Sequence, residues 1–152
     1  MTVPRRLLSL LAVVTLGFPF GIFKVLCGRA LLASRTGAVV GWPLVALGAL
    51  DLLLNLISIP PLVSGRPARL GVCFLEHVAV RLAARTPAWR EFGLALDAMI
   101  SFALVAAMIT LGLLARLSPL ETRVWSACVV LNVLGAGLGR LATSVGELMR
   151  GR

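Results

Sequence analysis

The sequence predicts an all-α integral membrane protein with four transmembrane helices, a short cytoplasmic interfacial helix between the second and the third, and both termini in the cytoplasm. Hydrophobic residues make up 59% of the 152 residues and charged residues only 14%. A soluble domain has roughly 45–50% apolar and about 25% charged residues. Four apolar segments each reach the ~20 residues that a helix needs to cross the hydrocarbon core: residues 7–26, 39–63, 93–115 and 124–145. We therefore expect a single four-helix bundle domain over residues 1–152.

The first span, residues 7–26, follows a basic N-terminus, as the hydrophobic region of a secretory signal also does. Its apolar run exceeds the roughly 7–15 residues of such a region, which favours a retained helix. Small residues on one face, at helical spacing, indicate close packing of another helix. They are Gly17, Gly21 and Gly28, with Lys24 between them. Lys24 lies near the outer end of this span, so we expect its ammonium group to extend toward the headgroups.

The second span, residues 39–63, gathers its polar residues on one stripe. Asp51, Asn55 and Ser58 fall on one helical face. That face must contact protein or water, because an ionised carboxylate in hydrocarbon is costly. Asp51 lies near the middle of the span, and we expect no cationic side chain at its depth. Two interpretations stay open: Asp51 is protonated and hydrogen-bonded to neighbouring polar groups, or it binds a proton or cation on a transport route.

Residues 72–85, in the loop after the second span, have the pattern of a short amphipathic helix. Apolar side chains occupy one side, and His77, Arg81 and Arg85 occupy the other. A basic amphipathic helix lies in the headgroup region, so we expect Arg81 and Arg85 to contact anionic lipid headgroups. Trp89 follows at the start of the third span, where the amphipathic indole ring suits the membrane interface.

The third span, residues 93–115, contains Asp97 and, four residues later, Ser101. Asp97 lies about four residues from the inner start of its span, and Arg140 about five residues from the inner end of the fourth. At ~1.5 Å rise per residue, the two side chains have a similar depth. We therefore expect an Asp97–Arg140 ion pair that fixes helix packing. The alternative places Asp97 and Ser101 beside a transport route.

The fourth span, residues 124–145, has a stripe of small and polar residues that includes Asn132, Gly135 and Gly139. Glycines four residues apart let two transmembrane helices approach closely. Because an asparagine shares this face, we expect the face to pack inward, with Asn132 near the other intramembrane polar residues.

Basic residues are distributed unequally between the two sides of this topology. Nine arginines fall at the N-terminus, in the middle loop and at the C-terminus, against five basic residues on the opposite side. The positive-inside rule therefore places both termini in the cytoplasm. The formal net charge of +9 then favours anionic lipid headgroups as partners, and no nucleic acid. We expect the protein in the lipid bilayer of a cell membrane, the bacterial inner membrane.

Catalytic signatures are missing from the sequence. It has one histidine and no nucleophile, metalloprotease or nucleotide-binding motif, so we expect no enzymatic activity, no cofactor and no metal site. Three functions stay open. The leading one is a subunit or scaffold partner of a membrane complex, in contact with other membrane proteins or with copies of itself. The others are a small oligomeric proton- or cation-coupled transporter or channel that uses Asp51, and a lipid-interacting, membrane-shaping protein.

Overall fold

The computed structural model of the chain describes residues 10–11, 13–33, 37–64, 73–82 and 87–150. All regular secondary structure in these ranges is helical, as the sequence predicts. A π-helical turn, Val13–Gly17, leads into α1, Phe18–Leu32. The later helices are α2, Ala38–Val63; α3, Phe74–Leu82; α4, Pro87–Thr110; and α5, Pro119–Arg150, with a 3₁₀ turn at Leu113–Arg116 before α5.

Two stretches are long and apolar enough to cross a membrane, Val13–Leu32 and Ala38–Val63. The second coincides with the predicted span at residues 39–63. The first predicted span, residues 7–26, ends too early, because α1 continues through Arg29 to Leu32. The prediction ends the span early because hydropathy falls at Gly28 and Arg29. The helix itself continues, since Ala, Leu and Arg all favour a helical backbone. The four-span topology and the orientation of the chain stay predictions.

The first of these stretches is the centre of the fold, because α2, α4 and α5 each pack against α1. The contact between α1 and α2 is the closest. A Cβ placed on Gly48 would lie 2.6 Å from the carbonyl oxygen of Gly21, and one on Gly28 would lie 2.7 Å from the carbonyl oxygen of Gly41. The two helices therefore run antiparallel with their backbones in contact, as small residues allow.

The C-terminal half of α1 holds an apolar core together with α4 and α5. Phe23 stacks on Trp125 of α5 with ring centroids 5.8 Å apart. Met108 of α4 is buried against the same cluster. The remaining buried members are Leu26, Cys27, Ala30, Leu113, Leu117 and Cys128. This core fixes one end of α1 between the two later helices.

The start of α5 is capped by its own sequence. The backbone N–H of Glu121 donates to Oγ of Ser118 at 3.3 Å, and the backbone N–H of Ser118 donates to Oε2 of Glu121 at 2.9 Å. This reciprocal capping box satisfies donors that the first helical turn leaves free. Glu121 also forms an ion pair with Arg29 near the end of α1. Hydrogen bonding to the Ser118 backbone, and then to its side chain, holds the pKa of the Glu121 carboxyl below its ordinary value.

The predicted interfacial helix is α3, and its described part is shorter than residues 72–85. It packs along α4, where a Cβ on Gly93 would lie 2.7 Å from Cα of Glu76. Glu76 is buried, whereas Arg81 is exposed. One side of α3 is thus covered by protein, and Arg81 lies on the open side.

Candidate functional site

Three charged side chains from three different helices meet inside the protein. Lys24 of α1 lies with its Nζ 2.5 Å from Oδ2 of Asp51 on α2, and it also donates to Oδ1 of Asp97 on α4. The side chains of Lys24 and Asp51 are fully buried, and that of Asp97 is 2% exposed. We call these three residues the Lys24 triad. In the chain, Lys24 lies 27 residues before Asp51 and 73 residues before Asp97.

The packing of α1 explains why Lys24 points inward. Gly21 and Gly28 lie on the same face, one turn before and one turn after Lys24, and both contact the α2 backbone. A side chain between these glycines emerges directly toward α2. The Phe20 ring, one turn earlier on α1, lies with its centroid 5.5 Å from the ammonium nitrogen, a distance at which the ring face attracts a cation. Lys24 is therefore held by two carboxylates and an aromatic ring.

The beginning of α3 completes the surroundings of Asp51. The backbone N–H of Phe74 donates to Oδ1 of Asp51 at 2.6 Å. Phe74 is the first residue of α3, and the N-terminus of a helix attracts anions through its free N–H groups and its dipole. The two carboxylate oxygens of Asp51 thus have different donors: Oδ2 faces the Lys24 ammonium and Oδ1 faces the start of α3.

Cys73 lies immediately before α3 and close to both aspartates. Its side chain is buried, and its sulfur accepts a hydrogen bond from the backbone N–H of Glu76 at 3.4 Å. Burial raises the pKa of the Cys73 thiol well above its usual range, and the neighbouring Asp97 and Asp51 carboxylates raise this pKa further. Cys73 is accordingly a neutral thiol beside the triad, which makes it a poor nucleophile.

The polar stripe of α2 faces inward, and its amide and hydroxyl groups bond within their own helix. Nδ2 of Asn55 donates to the backbone carbonyl of Asp51 at 2.7 Å, and Oγ of Ser58 donates to the backbone carbonyl of Leu54 at 2.7 Å. The Asn55 side chain fills the space that a Cβ on Gly17 would need. These bonds fix Asn55 against the π-helical turn that precedes α1.

The other predicted polar residues lie on two different helices. Ser101 is buried one turn after Asp97 on α4, and Oδ1 of Asn132 is buried on α5. A Cβ on Gly135 would lie 2.8 Å from Oγ1 of Thr15, so this part of α5 packs on the turn before α1. Trp89 is 45% exposed and makes an edge contact with Phe92.

Two predictions about ion pairing are changed by the structure. The ammonium group of Lys24 does not extend to the headgroups, because α1 continues eight residues beyond it and Lys24 lies in the middle of the stretch Val13–Leu32. Asp51 consequently has a cation at its own depth. Asp97 pairs with Lys24. The Asp97–Arg140 pair stays a prediction, because the side chain of Arg140 lies outside the described residues, as do Arg85 and the surroundings of Gly139.

Sequence reasoning missed Lys24 although a signal was present. Lys24 shares a helical face with three glycines, and a face that lets a partner helix approach closely also directs its lysine at that helix. The hydrogen bond from the Phe74 backbone N–H to Asp51 had no such signal in the sequence, because every residue except proline has a backbone N–H.

The donor set of this site suits protons and ion pairs better than metals. Among the residues that the structure describes, no group of three or more His, Cys, Asp or Glu side chains is placed to hold a metal ion. The Lys24 ammonium occupies the position between the carboxylates where a bound cation would otherwise balance their charge. Comparisons with protein families, with curated proteins and with solved structures find no match for this chain.

Proposed function

We propose that this protein is a membrane-embedded subunit or assembly partner of a larger membrane complex. The distribution of polarity supports a lipid environment. The charged side chains of the Lys24 triad are buried between their helices, while several large apolar side chains face outward: Val39 is 83% exposed, Met99 69% and Phe102 67%. A soluble protein rarely exposes apolar patches of more than a few hundred Å², and helices in a bilayer must present such surfaces to lipid or to other proteins. The localisation in the bacterial inner membrane with cytoplasmic termini belongs to this proposal.

The observation that carries the proposal is the occupancy of both aspartates by the chain's own lysine. Asp51 and Asp97 both contact Lys24, so the charged groups inside the protein bind one another and hold three helices together. Interactions with other molecules then fall to the outer faces. Because α2, α4 and α5 are arranged around α1, each keeps an apolar side available for another membrane protein or a second copy.

Site-directed crosslinking in native membranes tests this proposal. Leu53 and Leu56 lie on the exposed side of α2, at 52% and 54% exposure, whereas Leu44 of the same helix is 8% exposed. We expect a photo-crosslinker at Leu53 or Leu56 to give a discrete protein adduct, and the same group at Leu44 to give none. Equivalent outward positions on α4 and α5 are Met99 and Val133. If all four outward positions crosslink only to lipid and the chain is monomeric in mild detergent, the subunit proposal is wrong.

A second candidate is proton- or cation-coupled transport. It is favoured by the composition of the Lys24 triad, in which two carboxylates face a single ammonium group. On this alternative Asp51 and Asp97 bind the coupling ion, and Asn55, Ser58, Ser101 and Asn132 line its route. In proteoliposomes, Asp51→Asn and Asp97→Asn should abolish flux, and Glu121→Gln, at the exposed start of α5, should retain it. Flux that survives both aspartate substitutions would exclude this function.

A third candidate is binding of anionic lipid through α3. Arg81 is exposed on this helix, and an exposed arginine near a membrane surface attracts negative headgroups. We expect Arg81→Gln, alone and with Arg85→Gln, to reduce binding of the purified protein to immobilised anionic lipid but not to zwitterionic lipid. Equal lipid binding by the wild type and the double variant would rule out this role of α3.

A further inference from the structure

The Lys24 triad contains more negative than positive charge when all its members are ionised. Lys24 contributes one positive charge, and Asp51 and Asp97 contribute one negative charge each. An uncompensated charge that is removed from water is strongly unfavourable. Binding of one proton by a carboxylate would make the triad neutral while leaving the Lys24 ammonium one ionised partner.

The two aspartates are not equal candidates for that proton. Asp51 accepts from the Lys24 ammonium at one oxygen and from the backbone N–H of Phe74 at the other. Asp97 accepts from Lys24 through Oδ1 and has the Cys73 thiol, a weak donor, as a further partner, while no N–H or O–H donor among the described residues reaches its buried Oδ2. Donors stabilise the ionised form of a carboxylate, so the aspartate with the weaker donors is the better proton acceptor.

The groups around Asp97 favour the same assignment. From the segment before α3, the Cys73 thiol is neutral, and on α3 the side chain of Glu76 is buried. From α2 comes Asp51, and from α1 comes Lys24. The charged side chains described on α5, Glu121 and Arg123, lie at its start, where Glu121 pairs with Arg29 at the far end of α1. Lys24 is thus the one positive group described at the site, and it is already shared with Asp51.

We infer that the Lys24 triad is a proton-binding site in which Asp97 carries an exchangeable proton while Asp51 and Lys24 form the ion pair. The reaction is a simple proton transfer: the carboxylate of Asp97 gains a proton from a solvent hydronium ion, which becomes water, and the net charge of the triad changes from minus one to zero. This inference is independent of the proposed function, since a subunit and a transporter can both contain such a site.

Infrared spectroscopy of the full chain in detergent at neutral pH tests this assignment. The C=O stretch of a protonated carboxyl group is separated from the amide bands and moves to lower frequency in D₂O. The chain has only six acidic residues, so each such band can be assigned with variants. We expect one band from the triad in the wild type. This band should be lost in Asp97→Asn, shifted in Asp97→Glu, and unshifted in Asp51→Glu and in the surface control Glu121→Gln.

The charge balance of the triad predicts two further results, which would not be expected if the three residues only held the helices together. Asp51→Asn should also lose the band, because Asp97 then becomes the ionised partner of Lys24. Lys24→Met should gain a second band, since both aspartates then need a proton. Circular dichroism identifies variants that fail to fold. If Asp97→Asn unfolds, the band shift in Asp97→Glu still assigns the proton to Asp97. The inference is overturned if the wild type shows no triad band, or if its band is unshifted in Asp97→Glu and shifted in Asp51→Glu.

Discussion

Lys24 and Asp51 form a fully buried ion pair in which Nζ lies 2.5 Å from Oδ2. The pair connects α1 to α2 at the level where Gly21 and Gly48 bring the two backbones together. Close backbone contact brings the lysine within reach of the aspartate, and the ion pair in turn removes the cost of burying either charge alone. Small residues and the ion pair therefore support each other along a single helix contact.

Lys24→Met should destabilise the protein strongly. The substitution leaves Asp51 and Asp97 buried without their cation, and breaking a buried pair in this way costs about 3–5 kcal/mol. Thermal unfolding in detergent, followed by circular dichroism, measures the change. Arg29→Met is the matched control, because it breaks an ion pair whose arginine side chain is 61% exposed and should change stability little. Equal effects of the two substitutions would contradict this prediction.

Gly48→Ala should separate α1 from α2. The added Cβ would lie 2.6 Å from the carbonyl oxygen of Gly21 and 2.9 Å from the backbone nitrogen of Val25. Backbone atoms cannot move aside as a flexible side chain can, so we expect a loss of about 1–3 kcal/mol. Gly137→Ala on α5 is the control, because a Cβ there meets nothing within 4 Å. Alanine is the better helix former by roughly 0.5–1 kcal/mol, so this control should be neutral or stabilising in the same unfolding assay.

Gly112→Ala should be destabilising for a different reason. Gly112 has φ of 63° at the junction between α4 and the 3₁₀ turn, and a Cβ there would meet nothing within 4 Å. The left-handed conformation costs a residue with a Cβ about 1–2 kcal/mol, so backbone strain alone sets the effect. Gly112→Asn should lose less, since asparagine tolerates this conformation. Unfolding curves of the two variants should differ in that order, and the reverse order would show that the turn changes its backbone conformation.

Ser118→Ala should weaken the start of α5. It removes the oxygen that accepts from the Glu121 backbone N–H, and loss of such a cap costs about 0.5–2 kcal/mol. Ser118→Asp should retain most of the stability, because aspartate also caps helices well. Hydrogen exchange of the amides in the first turn of α5 reports the effect locally. Exchange rates that are unchanged in Ser118→Ala would contradict the capping role.

The Glu121 carboxyl adds a pH dependence to this cap. Because its pKa is below the ordinary value of 4.5 in the folded protein, the stability it contributes is present above that ordinary value. That stability is lost as the pH falls through the lower folded value. We therefore expect exchange in the first turn of α5 to accelerate below about pH 4.5 in the wild type, relative to a constant intrinsic rate. Glu121→Gln should remove this acid-dependent part.

The helical class and the position of α2 could be predicted because they depend on local properties. Apolar composition identifies α2 almost to its ends, and a period of 3.6 residues places Asp51, Asn55 and Ser58 on one face, where the structure buries all three. The partners of these residues could not be predicted in the same way. They depend on where α1 ends and on which helices pack together. Neither property can be read from a short stretch of sequence around Asp51.

The error over Lys24 shows how a boundary affects a site. Ending the first span at residue 26 placed Lys24 near a membrane surface, where a lysine side chain can reach water. In the structure α1 extends to Leu32, six residues or ~9 Å further at the rise of an α-helix, and Lys24 is buried between the two aspartates. The depth argument that assigned Asp97 to Arg140 failed to consider Lys24 for the same reason.

The ion pair between α1 and α2 has a consequence for biogenesis. For the membrane location proposed above, Lys24 would reach the translocon before either of its acidic partners, and a lysine at the centre of a lone helix would oppose lateral release into the bilayer by roughly 2.5–3.5 kcal/mol. Asp51 follows only 27 residues later on the adjacent antiparallel helix. The α1–α2 hairpin is the smallest nascent segment in which Lys24 has a counter-charge, so on this proposal we expect the two helices to leave the translocon together.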